Sequence, residues 1–287
     1  MREFLEILKV IFLGIIEGIT EWLPISSTGH MILVDEFIKL NVSSGFKEMF
    51  LVVIQLGAIL AVPVVFWKKL FPFGKGVDSE EKKRIWSLWF KVAVGVAPAA
   101  VLGFLFDIIL DKYSNNDKAD EITVLITAIA LVVYGVAFIL VEYFKRDKEY
   151  RIDSVYDITY KDALVIGAYQ VLSLIPGTSR SGSTILGGML TGVSRTASAE
   201  FSFFMAIPVM LGASGLKILK FIASGYTATP FELLLLLIGI AVAFVVSLVV
   251  IEFLMSFVKK HSFSSFGIYR IALGTVVLAY FLARKYA

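Results

Sequence analysis

The 287-residue chain has no cysteine, which excludes disulfides and thiolate metal sites. It is also poor in charge, with 18% charged residues against a hydrophobic share of 58% and a mean hydropathy of +0.84. A soluble domain of this length needs far more polar surface, so the composition points to an all-α polytopic membrane protein. The net charge of +3 is too mild to indicate nucleic acid as a partner. No GxxxxGK[ST] loop is present, so ATP use is not expected. Glu3, Glu6 and Lys9 interrupt the first apolar stretch and no small-residue cleavage site follows, so the start reads as a retained segment. Histidine is nearly absent. His261 sits in a basic "KKHS" loop and reads as solvated, which leaves His30.

What the chain does have is long apolar runs. A spanning helix needs about 20 mostly apolar residues, and six segments qualify: about 46–67, 86–108, 121–143, 198–219, 231–253 and 267–284. Pro63, Pro98 and Pro208 fall inside three of them, where a kink is expected. Residues 4–38 and 161–192 are apolar but broken in the middle by proline, glycine and hydroxyls. Each predicts a re-entrant hairpin, whose irregular backbone must be shielded by protein or line a wet cavity. Basic residues crowd the 68–84 loop (Lys68, Lys69, Lys75, Lys82, Lys83, Arg84), the 145–161 loop and the 256–266 loop. The 109–120 loop mixes Lys112 and Lys118 with Asp111, Asp117 and Asp120. Placing the three basic loops inside puts both termini outside.

The two broken segments align without a gap. "GIIEGITEWLPISSTGHMIL" (14–33) lies over "GAYQVLSLIPGTSRSGSTIL" (167–186), with Gly14/Gly167, Ser26/Ser179, Gly29/Gly182, Ile32/Ile185 and Leu33/Leu186 identical and Glu17 facing Gln170. Each is followed by three spans, so the second copy is expected to be inverted. The expected organisation is a single membrane domain, 1–287, with repeat 1 at about 1–144 and repeat 2 at about 160–287. The two tips should meet near the midplane.

The tips carry the chemistry. Glu17 and Glu21 are four apart and share a helix face. Two intramembrane carboxylates repel, so they call for a cation, an arginine or a shared proton. Pro24 stops the first helix, and Ser26, Ser27 and Thr28 are candidate caps of the next, with Ser27 or Thr28 preferred. A helix N-terminus there is an anion site, and His30 lies in its first turn. The second tip, "PGTSRSGST" (176–184), puts Arg180 in the place of Ser27, flanked by Thr178, Ser179 and Ser181. That is the composition of a phosphate cradle; the lesser alternative, an arginine that only neutralises Glu17 or Glu21, is compatible with it. Arg195, Glu200 and Arg270 read as membrane-boundary charges. The set of Glu17, Glu21, His30 and Ser27 adds what hydrolysis requires: a metal or base site, a proton shuttle and a nucleophile. Apolar surroundings imply a substrate that is itself in the bilayer, its anionic headgroup at the tips.

"EGITEWLPISSTGH" and "PGTSRSG" resemble the two signature motifs of the undecaprenyl-diphosphate phosphatases, the bacitracin-resistance family of bacteria. The resemblance runs on through "IQLGAILAV" (54–62), "SAEFSFFMAIPVMLGA" (198–213) and "YRIALG" (269–274). It implies removal of the terminal phosphate of a C55 polyprenyl diphosphate on the outer face of the cytoplasmic membrane, recycling the carrier for peptidoglycan and other wall polymers. It also implies a divalent cation, Mg²⁺ or Ca²⁺. By position, Glu17 and Glu21 would bind the metal or position water. Arg180 would hold the diphosphate, with Ser26, Thr28, Thr178, Ser179 and Ser181 as further phosphate contacts. His30 and Ser27 would be nucleophile and base in either order, Ser27 activated by His30 being preferred. The expected partners are the polyprenyl diphosphate and membrane lipids, with a homodimer as the candidate assembly. The competing class is a lipid flippase or secondary transporter, since inverted repeats around a midplane anion site also serve alternating access.

Overall fold

A computed structural model describes residues 2–74, 76–113, 118–145 and 148–286, without the side chains of 35–36, 106–120 and 284–286. The mixed charges of the 109–120 loop therefore lie outside the described residues. Among the described residues there is no strand, only an isolated bridge between Ile152 and Val193. The helices are α1 (Arg2–Thr20), α2 (Ser27–Phe37), α3 (Ser44–Val53), α4 (Gln55–Val65), α5 (Trp67–Leu70) and α6 (Ser79–Tyr113). They continue as α7 (Lys118–Lys145), α8 (Tyr160–Val171), α9 (Arg180–Leu190), α10 (Arg195–Ala223), α11 (Pro230–Val258) and α12 (Ser264–Tyr286).

Six segments are long and apolar enough to cross a membrane: Ser44–Val65, Ser79–Leu105, Glu121–Lys145, Arg195–Ala223, Pro230–Val258 and Ser264–Ala283. They overlie the six apolar runs of the sequence. Local chemistry sets their ends. Thr229 and Glu232 form a reciprocal capping box before the apolar run of α11, with Pro230 at its first position, and Thr159 and Asp162 do the same for α8. The chain stays helical through Pro98 and Pro208. The first span breaks at Ile54, between α3 and α4, well before Pro63. The break lies beside Gly57, where a Cβ would stand 2.1 Å from the carbonyl oxygen of Ile240. Backbone-to-backbone contact with α11, not proline, marks the irregular turn.

Packing without a hydrophobic drive between helices relies on close backbone approach at small residues. Gly14 and Gly18 of α1 press against Gly239, Val242, Ala243 and Val246 of α11, and Gly167 of α8 lies on the carbonyl of Gly95 in α6. Gly135 meets Gly267, and Gly274 meets Ala128, where α7 crosses α12. Each broken unit thus leans on a long helix from the other half of the chain. Large apolar residues on the outer faces, among them Leu60, Phe90, Val101, Val133, Leu237 and Val249, stay exposed. That surface is the one a lipid environment covers.

The boundary charges are paired. Arg195 clasps Glu142, which also accepts the N–H of Phe263, and Lys69 donates to both oxygens of Glu200 at 2.7 Å. His261 is exposed on the ring of Phe257. Arg270 is the exception, and its reading as a boundary charge is corrected by the structure. It is completely buried and reaches both tips.

Candidate active site

The two helix breaks are built alike. Ser26 (φ 73°) and Ser179 (φ 70°) are the only described non-glycine residues with positive φ, and each is the N-cap of the short helix that follows. Ser26 Oγ accepts from the N–H of Gly29 at 3.2 Å, and Ser179 Oγ accepts from Gly182 at 3.1 Å. The left-handed conformation costs a residue with a side chain about 1–3 kcal/mol and persists only where its surroundings fix it. The cap is therefore Ser26, one or two residues before the expected Ser27 or Thr28. A cap must lie outside the helix three residues before an open N–H, and α2 begins at Ser27. This register makes Ser27 and Arg180 equivalent first residues of α2 and α9. At about 1.5 Å per residue, each 11-residue helix spans about half a bilayer core.

Ser27 and Arg180 converge on one carboxylate. Arg180 Nη2 donates to Glu21 Oε1 at 2.8 Å, and Ser27 Oγ donates to Glu21 Oε2 at 2.9 Å. Ser181 Oγ donates to the Glu21 carbonyl at 3.2 Å. Arg180 Nη1 donates to the Ser202 carbonyl at 2.9 Å, while its Nε is buried without a partner. The guanidinium also stands 5.8 Å from the ring of Trp22, which is itself wholly buried. The sequence left Arg180 as phosphate ligand or counter-ion; it is placed as counter-ion to Glu21 with donor capacity to spare. Glu17, one turn before Glu21, is buried with Oε1 unpartnered. Gln170, the matching position in α8, is buried with both amide atoms unpartnered.

The remaining residues divide. Ser179 Oγ lies 3.1 Å from Ser181 Oγ, and Thr178 is buried with its hydroxyl unpartnered. Thr28 is exposed on α2. Both ring nitrogens of His30 are hydrogen-bonded to groups other than Ser27. Its Nδ1 lies 2.7 Å from the Ser26 carbonyl, which makes it the protonated nitrogen, and Nε2 lies 2.7 Å from the Tyr269 hydroxyl, which then donates to it. The geometry gives Ser27 to Glu21, so the expected Ser27–His30 couple is not formed.

Arg270 and Tyr269 are what the sequence reading missed. Arg270 donates from Nη1 to the Pro24 carbonyl at 3.1 Å and from Nη2 to the carbonyls of Gly177 (2.9 Å) and Thr178 (3.0 Å). One buried guanidinium ties the first tip to the second. Its ligands are carbonyls far away in the chain, so spacing carried no signal. The only hint was its place in the "YRIALG" segment.

Among the described residues no group of three or more His, Asp or Glu side chains could hold a metal ion. A pair of carboxylates nevertheless suits Mg²⁺, which binds through one or two of them and completes its shell with water and substrate phosphate. The unpartnered, buried Glu17 Oε1 beside Glu21 fits that arrangement.

The family described as "Bacitracin resistance protein BacA" matches residues 10–276. An "Undecaprenyl-diphosphatase" of Enterococcus faecalis is 60% identical over 278 residues, covering 96% of this chain and 97% of the relative. An "Undecaprenyl-diphosphatase 1" of Clostridioides difficile (strain 630) is 56% identical over 277 residues, 96% and 97% of the two chains. An "Undecaprenyl-diphosphatase" of Desulfitobacterium hafniense is 54% identical over 280 residues, 97% of each chain.

Proposed function

The chain belongs to the bacitracin resistance protein BacA family, and from that premise we propose that its chemistry takes place where the two broken helices meet. The protein is a multi-pass membrane enzyme that hydrolyses undecaprenyl diphosphate to undecaprenyl phosphate and phosphate. The reaction returns the lipid carrier to cell-wall synthesis and confers bacitracin resistance. The observation that carries the assignment of residues is the shared carboxylate, Glu21, holding the Ser27 hydroxyl on one oxygen and Arg180 on the other.

Ser27 is the nucleophile. Its Oγ attacks the terminal phosphorus, the bond from that phosphorus to the bridging oxygen breaks, and undecaprenyl phosphate leaves. Glu21 Oε2, already hydrogen-bonded to the hydroxyl, takes the proton. Water then attacks the phosphorus of the phosphoserine, its bond to Ser27 Oγ breaks, Oγ takes back the proton held by Glu21, and phosphate leaves. Arg180, through its open Nε, and the N-terminal amides of α2 and α9 stabilise the charge on the transferred group. Ser26 and Ser179 hold those helix ends in place, with Thr28, Thr178 and Ser181 as further polar contacts. His30 is a positioning residue, fixing the Ser26 carbonyl through Nδ1. Glu17 and Glu21 would hold Mg²⁺ or Ca²⁺ together with the diphosphate, and the bound ion would neutralise phosphoryl charge.

The two units are inverted copies, their re-entrant hairpins entering from opposite faces of a bacterial cytoplasmic membrane, with the site open to the outside. The matched caps and the reciprocal packing of α1 on α11 and α8 on α6 support this reading. The test is phosphate release by the purified protein from undecaprenyl diphosphate with Mg²⁺, lost in Ser27→Ala. Wild-type activity in a Ser27→Ala variant would refute the assignment.

A further inference from the structure

A cleft of about 660 Å³ lies between α3 and the C-terminal half of α10, and no step proposed above uses it. One stripe of α10 links it to the reaction site. Met210, Ala213, Lys217 and Lys220 follow at spacings of three and four, which place them on one helix face. At the inner end, Met210 Sδ lies 3.6 Å from Arg180 Nη2. At the outer end, Lys217 and Lys220 line the cleft, about 10–15 Å away at 1.5 Å per residue. Met49 and Val52 of α3 form the opposite wall, and Ser214 Oγ donates to the Val52 carbonyl at 3.4 Å. Tyr226 also lines the cleft, its ring 2.7 Å from where a Cβ on Gly45 would stand.

Interfacial lysines ordinarily snorkel into the headgroups from a lipid-facing side. Here Leu219 and Ile222 take that side, 66% and 63% exposed, while Lys217 and Lys220 line the cleft. Apolar walls below two ammonium groups suit an amphiphile with an oxyanion head. Glu48 is the charge that faces Lys217. It pairs with Lys217 at 3.0 Å, but its side chain is 71% exposed, so an arriving phosphate takes over the ammonium readily.

We infer that this cleft is a staging site that binds the phosphorylated head of the prenyl lipid before it reaches Arg180. The inference rests on the reaction assigned above, and the wild-type assay separates the two: no phosphate release by wild type would strike that reading, not this one. The test is the Lys217→Ala/Lys220→Ala variant of the full chain in detergent, with undecaprenyl diphosphate as substrate. KM is expected to rise at least about fivefold, the worth of one lysine near an anionic headgroup, with kcat little changed. Lys217→Arg/Lys220→Arg should restore KM. A weakened inhibition by inorganic phosphate with KM unchanged would overturn the staging role and assign the cleft to the released product. If neither constant moves, or if the arginine pair fails to restore the one that did, the inference is overturned. Should the alanine pair fail to fold, Glu48→Gln provides the same test. Releasing Lys217 should lower KM; stronger phosphate inhibition alone would assign the cleft to the product, and no change in either would refute the site.

Discussion

Glu21→Gln separates the geometry of the site from the arrangement the sequence suggested. Glutamine keeps the shape and one carbonyl oxygen, so Arg180 retains an acceptor where Glu21 Oε1 stood at 2.8 Å. The amide that replaces Oε2 cannot take a proton from Ser27. Removing a general base costs about 10²–10⁴ in rate, or about 2.7–5.4 kcal/mol at 1.36 kcal/mol per tenfold. There is a second effect on stability. The Arg180 and Glu21 side chains are only 11% and 9% exposed, close to the buried regime in which losing one partner costs about 3–5 kcal/mol. The retained carbonyl holds the loss to the low end of that range. The assay is phosphate release at saturating undecaprenyl diphosphate, beside thermal unfolding in the same detergent. E21Q should lower kcat at least about 100-fold, with a fall in Tm of roughly 5–10 °C. His30→Ala should lower it less, because His30 bonds Ser26 and Tyr269 and leaves Ser27 to Glu21. If E21Q keeps a tenth of wild-type kcat while His30→Ala abolishes turnover, His30 is the base and the reasoning fails.

Arg270→Lys should lose about 100-fold in kcat, the scale of a 1 Å misplacement, because an ammonium cannot reach the Pro24, Gly177 and Thr178 carbonyls together; normal steady-state kinetics would remove Arg270 from the site's support. Glu17→Gln should raise the Mg²⁺ concentration for half-maximal rate at least about tenfold with the fold intact, and an unchanged metal titration would dissociate Glu17 from the cation. Gly167→Ala puts a methyl 2.1 Å from the Gly95 carbonyl, so α8 must move off α6; a loss of about 1–3 kcal/mol, read as a lower Tm in detergent, is expected.

The legible parts of the fold were those written in local composition. Apolar runs gave six spans, and proline, glycine and hydroxyls gave two breaks, because a bilayer demands long uninterrupted helices and tolerates irregular backbone only under protein. Glu17, Glu21, Ser27 and Arg180 stood out for the same reason, as polar side chains where polarity is expensive. Pairing was harder. Three consecutive hydroxyls at 26–28 all have capping chemistry, and only the backbone at Ser26 distinguishes them. Nothing in the spacing joins His30 to Tyr269, 239 residues on. Arg270 was misread because a lone arginine a short way into an apolar helix normally lies at the boundary, whereas here the carbonyls of two tips surround it. The break at Ile54 was not foreseen, a kink being expected at Pro63 instead, since contact with Ile240 is invisible in one dimension.

The central claim is that Ser27 carries the phosphoryl group between the two halves of the reaction. Rapid quench of the enzyme with undecaprenyl diphosphate labelled in its terminal phosphate, split between acid, which preserves phosphoserine, and alkali, which preserves phosphohistidine, and followed by peptide mapping, tests it most directly. The account predicts acid-stable label on Ser27, absent in Ser27→Ala. Label on His30, or turnover that continues in Ser27→Ala, would contradict it.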